Sequence, residues 1–555
     1  MSWLDLGPGA RIAACWVLLA TVVLASAIPR MDRLGLYYDE AFLAQQARDF
    51  VEPERAGTHA GSVRTTWLMG RPFPLRNAAY LGSLKSQLLI PPLAIFGSSA
   101  EVVRIATLVT GLFALLLAMW TAGRFFGHWP AMLTGLLVAS DPSFYFLAQF
   151  EWGPFTTNLL CRSAGMLLLV IAWQSAHPRR ALLAAISGGA ALGLGIFSRA
   201  DFAIILASVG IALVLVRPGL VALALRERRG LVLASLAALL VAASSMIGSA
   251  FDLFGSSGIM AERGGWETRA SVLFSVIDGS HFYRLMQTGG RFDEALEVAA
   301  ISTLFGWVLA LACIVLSAYL VSRWRSASTS HRDAALGVLL LSAALLSLAM
   351  LAMPGAVRAH HQLNTLPLLH LIVACAATWA WRWPTAPSLR SAVRAGVVLL
   401  LAAVLVSQIR VIVLTQELID ETGGKGRWTR ALHDLADEID SQGTRVVSLD
   451  WGFHEPMQLL TDHAELLEAI WTIPRVLGRG QPWVIAGDAR SVYLVHDAPY
   501  DLFGLGPLFL ARMREEEPEA VEIRTHRDAS GEVAFYSVRV LRPHRLAYTG
   551  RFVLD

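Results

Sequence analysis

The chain has 555 residues, 55% of them hydrophobic and 16% charged, with a mean hydropathy of +0.53. That balance is too apolar and too poor in charge for an ordinary soluble protein and points to a polytopic membrane protein. The formal net charge of +3 says little, because in a membrane protein the placement of basic residues matters more than their sum.

A span needs about 20 mostly apolar residues, and eleven runs qualify: 12–29, 102–122, 130–148, 157–176, 181–198, 201–217, 231–249, 301–322, 334–352, 363–381 and 394–413. The first ends in Ala25-Ser26-Ala27, which resembles a leader cleavage site, but more spans follow and an uncleaved first helix is expected. Directly after it comes YYDEAFLAQQARDF, with the adjacent carboxylates Asp39 and Glu40. If a helix starts near Tyr38, Asp39 lies in line with Leu43, Ala47 and Phe50, on the apolar stripe rather than opposite it. Asp39 therefore reads either as an N-cap or as an acid aimed into a site.

The stretch YLGSLKSQLLIPPLAIFG, residues 80–97, is interrupted by Lys85 and Pro91-Pro92. It is expected to form an interfacial or re-entrant helix, because counting it as a span would invert the charge pattern downstream. Threaded with the N-terminus inside, the chain puts Arg124, Arg179, Arg180, Arg217, Arg226, Arg228, Arg229, Arg323, Arg325, Arg332, Arg382, Arg390 and Arg394 in cytoplasmic loops, as the positive-inside rule requires. Loops 30–101, 149–156, 199–200, 250–300 and 353–362 then lie outside, with the tail from 414. Cys15, Cys161, Cys313 and Cys375 each fall in an apolar run and read as small hydrophobes.

The outer segments hold the residues capable of chemistry. The turn DPSFYFLAQFEWGPF carries Asp141, which reads as a helix-breaking Asp-Pro step, and Glu151. Arg199 sits between two spans against the charge trend, and AVRAHHQLN brings Arg358, His360 and His361 to one helix mouth. A lone outer Arg is usually a lipid anchor, whereas three such groups within four residues suit a phosphate. Trp266, His281, Tyr283 and Arg284 fit an interfacial belt.

After Val413 the composition becomes that of a soluble domain. HDLADEIDSQG suggests a helix stopped by Gly443, and TRVVSLD, RSVYLVHD and EVAFYSVRVL suggest strands, so residues 414–555 are expected to form a small α/β domain. Asp450, Trp451, His454 and Glu455 follow a strand end, where ligand sites often lie but where such residues are also common in plain loops. Phosphate-binding glycine loops are absent, which argues against a nucleotide-driven pump.

YYDEAFLAQQA, the loop ending in YLGSLKSQLLIPPLAIFGSSAEVVR and the span closing on GRFFG resemble the polyprenyl-phosphate-sugar glycosyltransferases of the GT-C superfamily. Within it they are similar to glycosyltransferase family 39, the protein O-mannosyltransferase and lipid A aminoarabinose transferase group. The resemblance is clear over residues 12–200 and looser to 413; the tail has no named counterpart. It implies a GT-C-like catalytic domain over 1–413; with the spans and the tail read above, the chain is expected to be an α-helical polytopic membrane protein of about eleven transmembrane helices with an extracytoplasmic α/β domain over 414–555. The resemblance also implies that Asp39 is the base that deprotonates the acceptor, with Glu40 as its neighbour. By position, Glu151 matches the acid of the second outer turn, and Arg199 matches a basic site.

The implied partners are a polyprenyl-phosphate-linked sugar donor, a lipid, glycan or protein acceptor, and membrane lipids, with no nucleic acid, at the plasma (inner) membrane. No cofactor is expected, although some relatives hold a metal, and Glu151, His360 and His361 could supply ligands; spacing fixes no third ligand. The alternative to a glycosyltransferase is a transporter or flippase of a lipid-linked substrate. Transporters place polar groups at mid-membrane, whereas here polar groups gather at the outer boundary. An inert scaffold for the tail would leave the loop acids without a reason.

Overall fold

The computed structural model describes residues 7–56, 64–255, 265–325, 330–353, 358–383, 386–462, 464–474, 483–516 and 519–555. Among the described residues, 9 helices are long and apolar enough to cross a membrane, or 10 if one bent pair counts as a span. In chain order the helices of the first half are α1 (Pro8–Ala27), α2 (Tyr38–Val51), α3 (Leu84–Phe96), α4 (Ala100–Phe126), α5 (His128–Ala139), α6 (Pro142–Leu147), α7 (Phe155–Gln174), α8 (Pro178–Ser198), α9 (Phe202–Val216), α10 (Pro218–Glu227) and α11 (Arg229–Gly255). Then follow α12 (Trp266–Ile277), α13 (His281–Thr288), α14 (Phe292–Glu297), α15 (Phe305–Arg325), α16 (His331–Ala352), α17 (Ala359–Gln362), α18 (Leu368–Trp381) and α19 (Pro387–Thr422).

Three expected boundaries differ. The run 130–148 is not one helix but α5 and α6, broken at Ser140–Asp141. Pro142 cannot donate to the helical ladder, and Asp141 caps α6 by accepting from the Phe144 N–H at 3.0 Å while its other oxygen meets His370 Nε2 at 3.1 Å. The broken run still covers the height of α1. At one end Arg11 meets His128 at 3.4 Å; at the other the Tyr145 hydroxyl donates to Ser26 at 3.1 Å. The run therefore crosses the bundle as a span does, although neither half is long enough alone. The second difference is at α9, which ends in a 100° turn into α10. The third is at α19, which continues past Val413 to Thr422.

The first loop supplies α2, a three-stranded antiparallel sheet of β1 (Arg64–Leu68), β2 (Arg71–Ala78) and β3 (Leu81–Gly82), and the short apolar helix α3. The backbone of β3 bridges from Leu81 to Arg199, and the Ala200 N–H donates to the Tyr80 carbonyl at 3.0 Å. Gly82 makes that approach feasible, since a Cβ there would collide with the Phe197 carbonyl. In this way the loop is laid across the α8–α9 junction.

The tail contains α20 (Ala431–Asp440), α21 (His454–Leu460) and α22 (Gly506–Glu515). Its strands are β4 (Arg445–Ser448), β5 (Glu465–Glu468), β6 (Trp483–Gly487), β7 (Ser491–His496), β8 (Val521–Arg527), β9 (Val533–Val540), β10 (His544–Tyr548) and β11 (Phe552–Leu554). They form a five-stranded sheet, β5-β4-β7-β9-β8, and a three-stranded sheet, β11-β10-β6. β4 pairs in parallel with β5 and β7, while β9 is antiparallel to β7 and β8. Val447, Tyr493, Val495, Phe509, Val538 and Leu546 close one core of this domain.

The tail is clamped to the first loop. The Gly35 N–H donates to the Trp428 carbonyl at 2.9 Å, the Leu36 N–H donates to His433 Nε2 at 3.1 Å, and Arg48 of α2 donates to the Gln458 and Thr461 carbonyls at the end of α21. Tyr37 stacks on Trp428 with ring centroids 4.5 Å apart and meets Trp152 and Trp451, each at 5.8 Å. This aromatic contact joins the first loop, the second turn and the tail.

Candidate active site

The segment before α2 ends at Tyr37, which is the N-cap; Asp39 is the second helical residue, so it is not the cap. Glu40, at the third, accepts from the Tyr37 N–H at 3.3 Å. Its carboxylate is held by Arg104 of α4 through Nε at 2.8 Å and Nη2 at 3.0 Å, with 0% and 1% of the two side chains exposed. Arg104 spends its remaining N–H groups on the Met31, Leu34 and Gly35 carbonyls. Glu40, expected beside the base in a catalytic role, is thus turned away and ties the start of α2 to α4. Both its oxygens are occupied.

Asp39 is partly exposed and faces a set of cations from separate elements. Burial pushes its carboxyl up to about 6, opposed by Arg199, then Arg358, then Lys85, and by a hydrogen bond from the Gly153 N–H. A carboxylate raised into this range is mostly ionised at neutral pH yet basic enough to take a proton. Arg199 ends α8 and is buried; its Nη2 lies 2.9 Å from Asp201 Oδ2 and against His361 Nδ1, and its Nη1 donates to the His360 carbonyl at 3.3 Å. Asp201 Oδ2 also takes His361 Nδ1 at 2.9 Å and Asn364 Nδ2 at 3.3 Å. Arg358 packs over the Phe292 ring, 3.2 Å from its centroid. The expected phosphate-binding residues Arg199, Arg358, His360 and His361 therefore stand together, with Arg199 and Arg358 acting on Asp39, although they come from two separate stretches of chain.

Glu151 is buried and paired with Lys85 of α3; its other oxygen accepts from the Thr156 N–H and, at 2.7 Å, from the Thr156 hydroxyl. That leaves it no free edge for substrate. The Lys85 that it pairs with also acts on Asp39. The metal set suggested by Glu151, His360 and His361 does not assemble: Glu151 is taken by Lys85, His361 by Asp201, and among the described residues no group of three His, Cys, Asp or Glu could hold a metal.

Other expectations sort by packing. Trp266 is 67% exposed, as a belt residue would be. His281 is not: it is buried, shares a hydrogen bond of 2.8 Å with Ser275 and sits edge-on to Trp152 at 6.3 Å. Arg284 turns inward to the Leu296 and Val298 carbonyls. In the tail, Asp450 is structural, bonding His496 at 2.7 Å and the Trp451 and Leu502 N–H groups. Trp451 lies over Tyr38, centroids 4.3 Å apart, and the Tyr38 hydroxyl bonds Glu455.

Sequence reasoning missed Lys85, Arg104, Tyr38, Asp201 and Glu468. A signal existed for Lys85, the only charge in an otherwise apolar helix; a lone cation at a membrane boundary implies an acid partner or a ligand. Nothing in the sequence marks Arg104 among the many other arginines.

Residues 91–247 match the family model described as dolichyl-phosphate-mannose-protein mannosyltransferase. No curated protein matches the chain in sequence. Among solved structures, ArnT from Cupriavidus metallidurans in the apo state superposes with a TM-score of 0.55 at 14% identity, covering 95% of this chain and 98% of that one. The same protein bound to undecaprenyl phosphate gives 0.53 at 14% identity, over 94% and 97%. Residues 91–247 thus carry the sequence pattern of the dolichyl-phosphate-mannose-protein mannosyltransferase family, and the whole chain, a multi-pass membrane protein, has the GT-C fold seen in ArnT.

Proposed function

We propose that the protein is an integral-membrane glycosyltransferase that moves a sugar from a polyprenyl-phosphate donor to a hydroxyl or amine of a lipid, glycan or protein acceptor. The observation that carries this reading is Asp39 standing among Arg199, Arg358 and Lys85 in a chain with the fold of a protein solved with undecaprenyl phosphate bound. The donor phosphate lies on the cations. Asp39 takes the proton from the acceptor O–H or N–H as the acceptor atom bonds to the anomeric carbon. The bond from that carbon to the phosphate oxygen breaks, and the lipid phosphate leaves with the electron pair and its added negative charge. Arg is suited to the leaving group because its planar fork grips two oxygens and stays charged near lipid. His360 donates a hydrogen bond as a neutral imidazole, His361 gives its Nδ1–H to Asp201 and so helps fix Arg199, and Glu40 and Glu151 hold Arg104 and Lys85. The reaction as written uses no metal or cofactor.

Asp39 belongs to the outer side in this reading, with the N-terminus in the cytoplasm and the tail domain outside the plasma (inner) membrane. Support comes from the arginines gathered at the opposite end of the bundle, such as Arg124 on Gln174 at 2.8 Å and Arg228 over Trp173 at 6.0 Å. A reporter active only in the cytoplasm, fused after Asp555, is expected to be silent; activity there would overturn the orientation. The function is tested by identifying which polyprenyl-linked sugar accumulates in cells lacking the protein. The purified protein should then consume that donor, and failure to do so while binding it normally would sink the reading.

A further inference from the structure

Beside Asp39, the tail domain brings two glutamates that the transfer mechanism does not use. Glu455 lies in the first turn of α21 and Glu468 ends β5. Both lie at the edge of the tail sheet where the parallel strands β4 and β5 end, the edge at which sheets of this kind commonly hold ligands. The clamp of Arg48 on the end of α21 holds that edge against α2.

Glu455 is 1% exposed, yet its Oε2 has no hydrogen-bond partner, and Glu468 accepts from the Trp471 indole N–H, which leaves capacity on its carboxyl. Neither residue enters an ion pair among the described residues. A buried carboxyl oxygen left unpaired costs about 1–3 kcal/mol, more when charged, so such atoms ask for a ligand. Aromatic side chains frame the pair. Tyr38, bonded to Glu455, and Trp451 are in ring contact at 4.3 Å, and Trp471 sits beside Phe503 at 6.0 Å. Tyr38, Asp39, Glu468 and Trp471 all keep partial exposure, so Glu455 forms the floor of a seat open at its rim.

We propose that Glu455 and Glu468 form the acceptor seat, and that the group they hold is the hydroxyl-bearing ring of a sugar. The proposal rests on the glycosyltransferase reading above and names its acceptor class. A sugar hydroxyl both donates and accepts, and the C–H face of the ring packs on an aromatic plane. An ammonium only donates and requires ionised partners. Here burial and the neighbouring Glu468 push the Glu455 carboxyl well up, and burial raises Glu468 too. The pair therefore offers an O–H donor as well as acceptor oxygens. Arg427, whose guanidinium stands 5.7 Å from the Trp451 ring centroid, further disfavours a cationic guest. Seated there, a sugar has its hydroxyls beside Asp39, whose charge reaches Glu455, so the base and the incoming group are held together.

The test uses the full-length protein in nanodiscs and reads tryptophan fluorescence during titration with a panel of methyl glycosides (gluco, manno, galacto and arabino), with ethanolamine as the cationic arm. Undecaprenyl phosphate binding is measured in parallel. At least one glycoside should bind saturably to the wild type. Glu455→Gln and Glu468→Gln should each weaken it roughly tenfold, about 1.4 kcal/mol, with undecaprenyl phosphate affinity unchanged. Saturable binding of ethanolamine alone would overturn the sugar assignment. Binding of no glycoside, or equal binding in both variants, would overturn the seat. Loss of undecaprenyl phosphate binding in the wild type would instead break the glycosyltransferase reading.

Discussion

On the membrane-domain wall around Asp39 cations come with acids: Lys85 with Glu151, Arg199 with Asp201, and behind them Arg104 with Glu40. On the tail-domain wall two acids, Glu455 and Glu468, face each other and enter no ion pair among the described residues. The difference follows from what each wall must do in the absence of substrate. A cluster of bare cations at a membrane boundary would repel itself, so Lys85, Arg199 and Arg104 are each held by a carboxylate that fixes their direction, Arg358 lies over the Phe292 ring, and a phosphate adds to an already stable arrangement. Burial can keep carboxyls uncharged, so the tail wall survives without cationic partners, held by Tyr38 and Trp471, and retains unused hydrogen-bonding capacity. Asp39 stands beside both: Arg199, Arg358 and Lys85 pull its carboxyl down, and its own charge helps push Glu455 up.

The largest effect should come from Asp39 itself. Asp39→Asn preserves shape but removes the proton acceptor, and general-base losses are typically about 10²- to 10⁴-fold in rate. The purified variant should keep its melting temperature and its donor affinity; near wild-type turnover would remove Asp39 from the chemistry. Next is Glu40→Ala, which strands Arg104 in a buried site at a cost of about 3–5 kcal/mol. It should be read as a large drop in thermal stability, partly recovered when Arg104 is also replaced by Met. A variant that stays fully stable yet loses turnover would show Glu40 to be catalytic and not a positioning residue.

Smaller still is Arg358→Ala. A charge-assisted hydrogen bond contributes about 1.5–3 kcal/mol, which converts to roughly 10- to 100-fold. The loss should appear in donor KM and in kcat together, with insertion into the membrane unchanged. If only insertion suffers, Arg358 is a lipid anchor. Gentlest is the pH response. With the Asp39 carboxyl at about 6, kcat/KM should fall about tenfold per pH unit below that value as the base is protonated, and should rise only about twofold from pH 6 to pH 7. A profile flat down to pH 4 would mean that Asp39 is not the titrating base.

The sequence alone determined the membrane class, most spans, the α/β character of the tail and the convergence of Asp39, Arg199, Arg358 and His361 on one side. These are legible because they depend on composition and on periodicity along the chain: a span is about 20 apolar residues wherever it sits, and charge bias reports the side. Tertiary structure alone decided which acids are free. Asp39 and Glu40 are adjacent in sequence and equally acidic, but a helix turns neighbouring side chains about 100° apart. One meets Arg104, which comes from the far end of the loop, and the other meets the cations of three different elements. The same holds for the break at Asp141, which needs His370 to be worthwhile, and for Glu455 and Glu468, whose meeting depends on a parallel strand pairing and on the tail docking against α2. Such contacts join residues tens to hundreds of positions apart, and no local pattern records them.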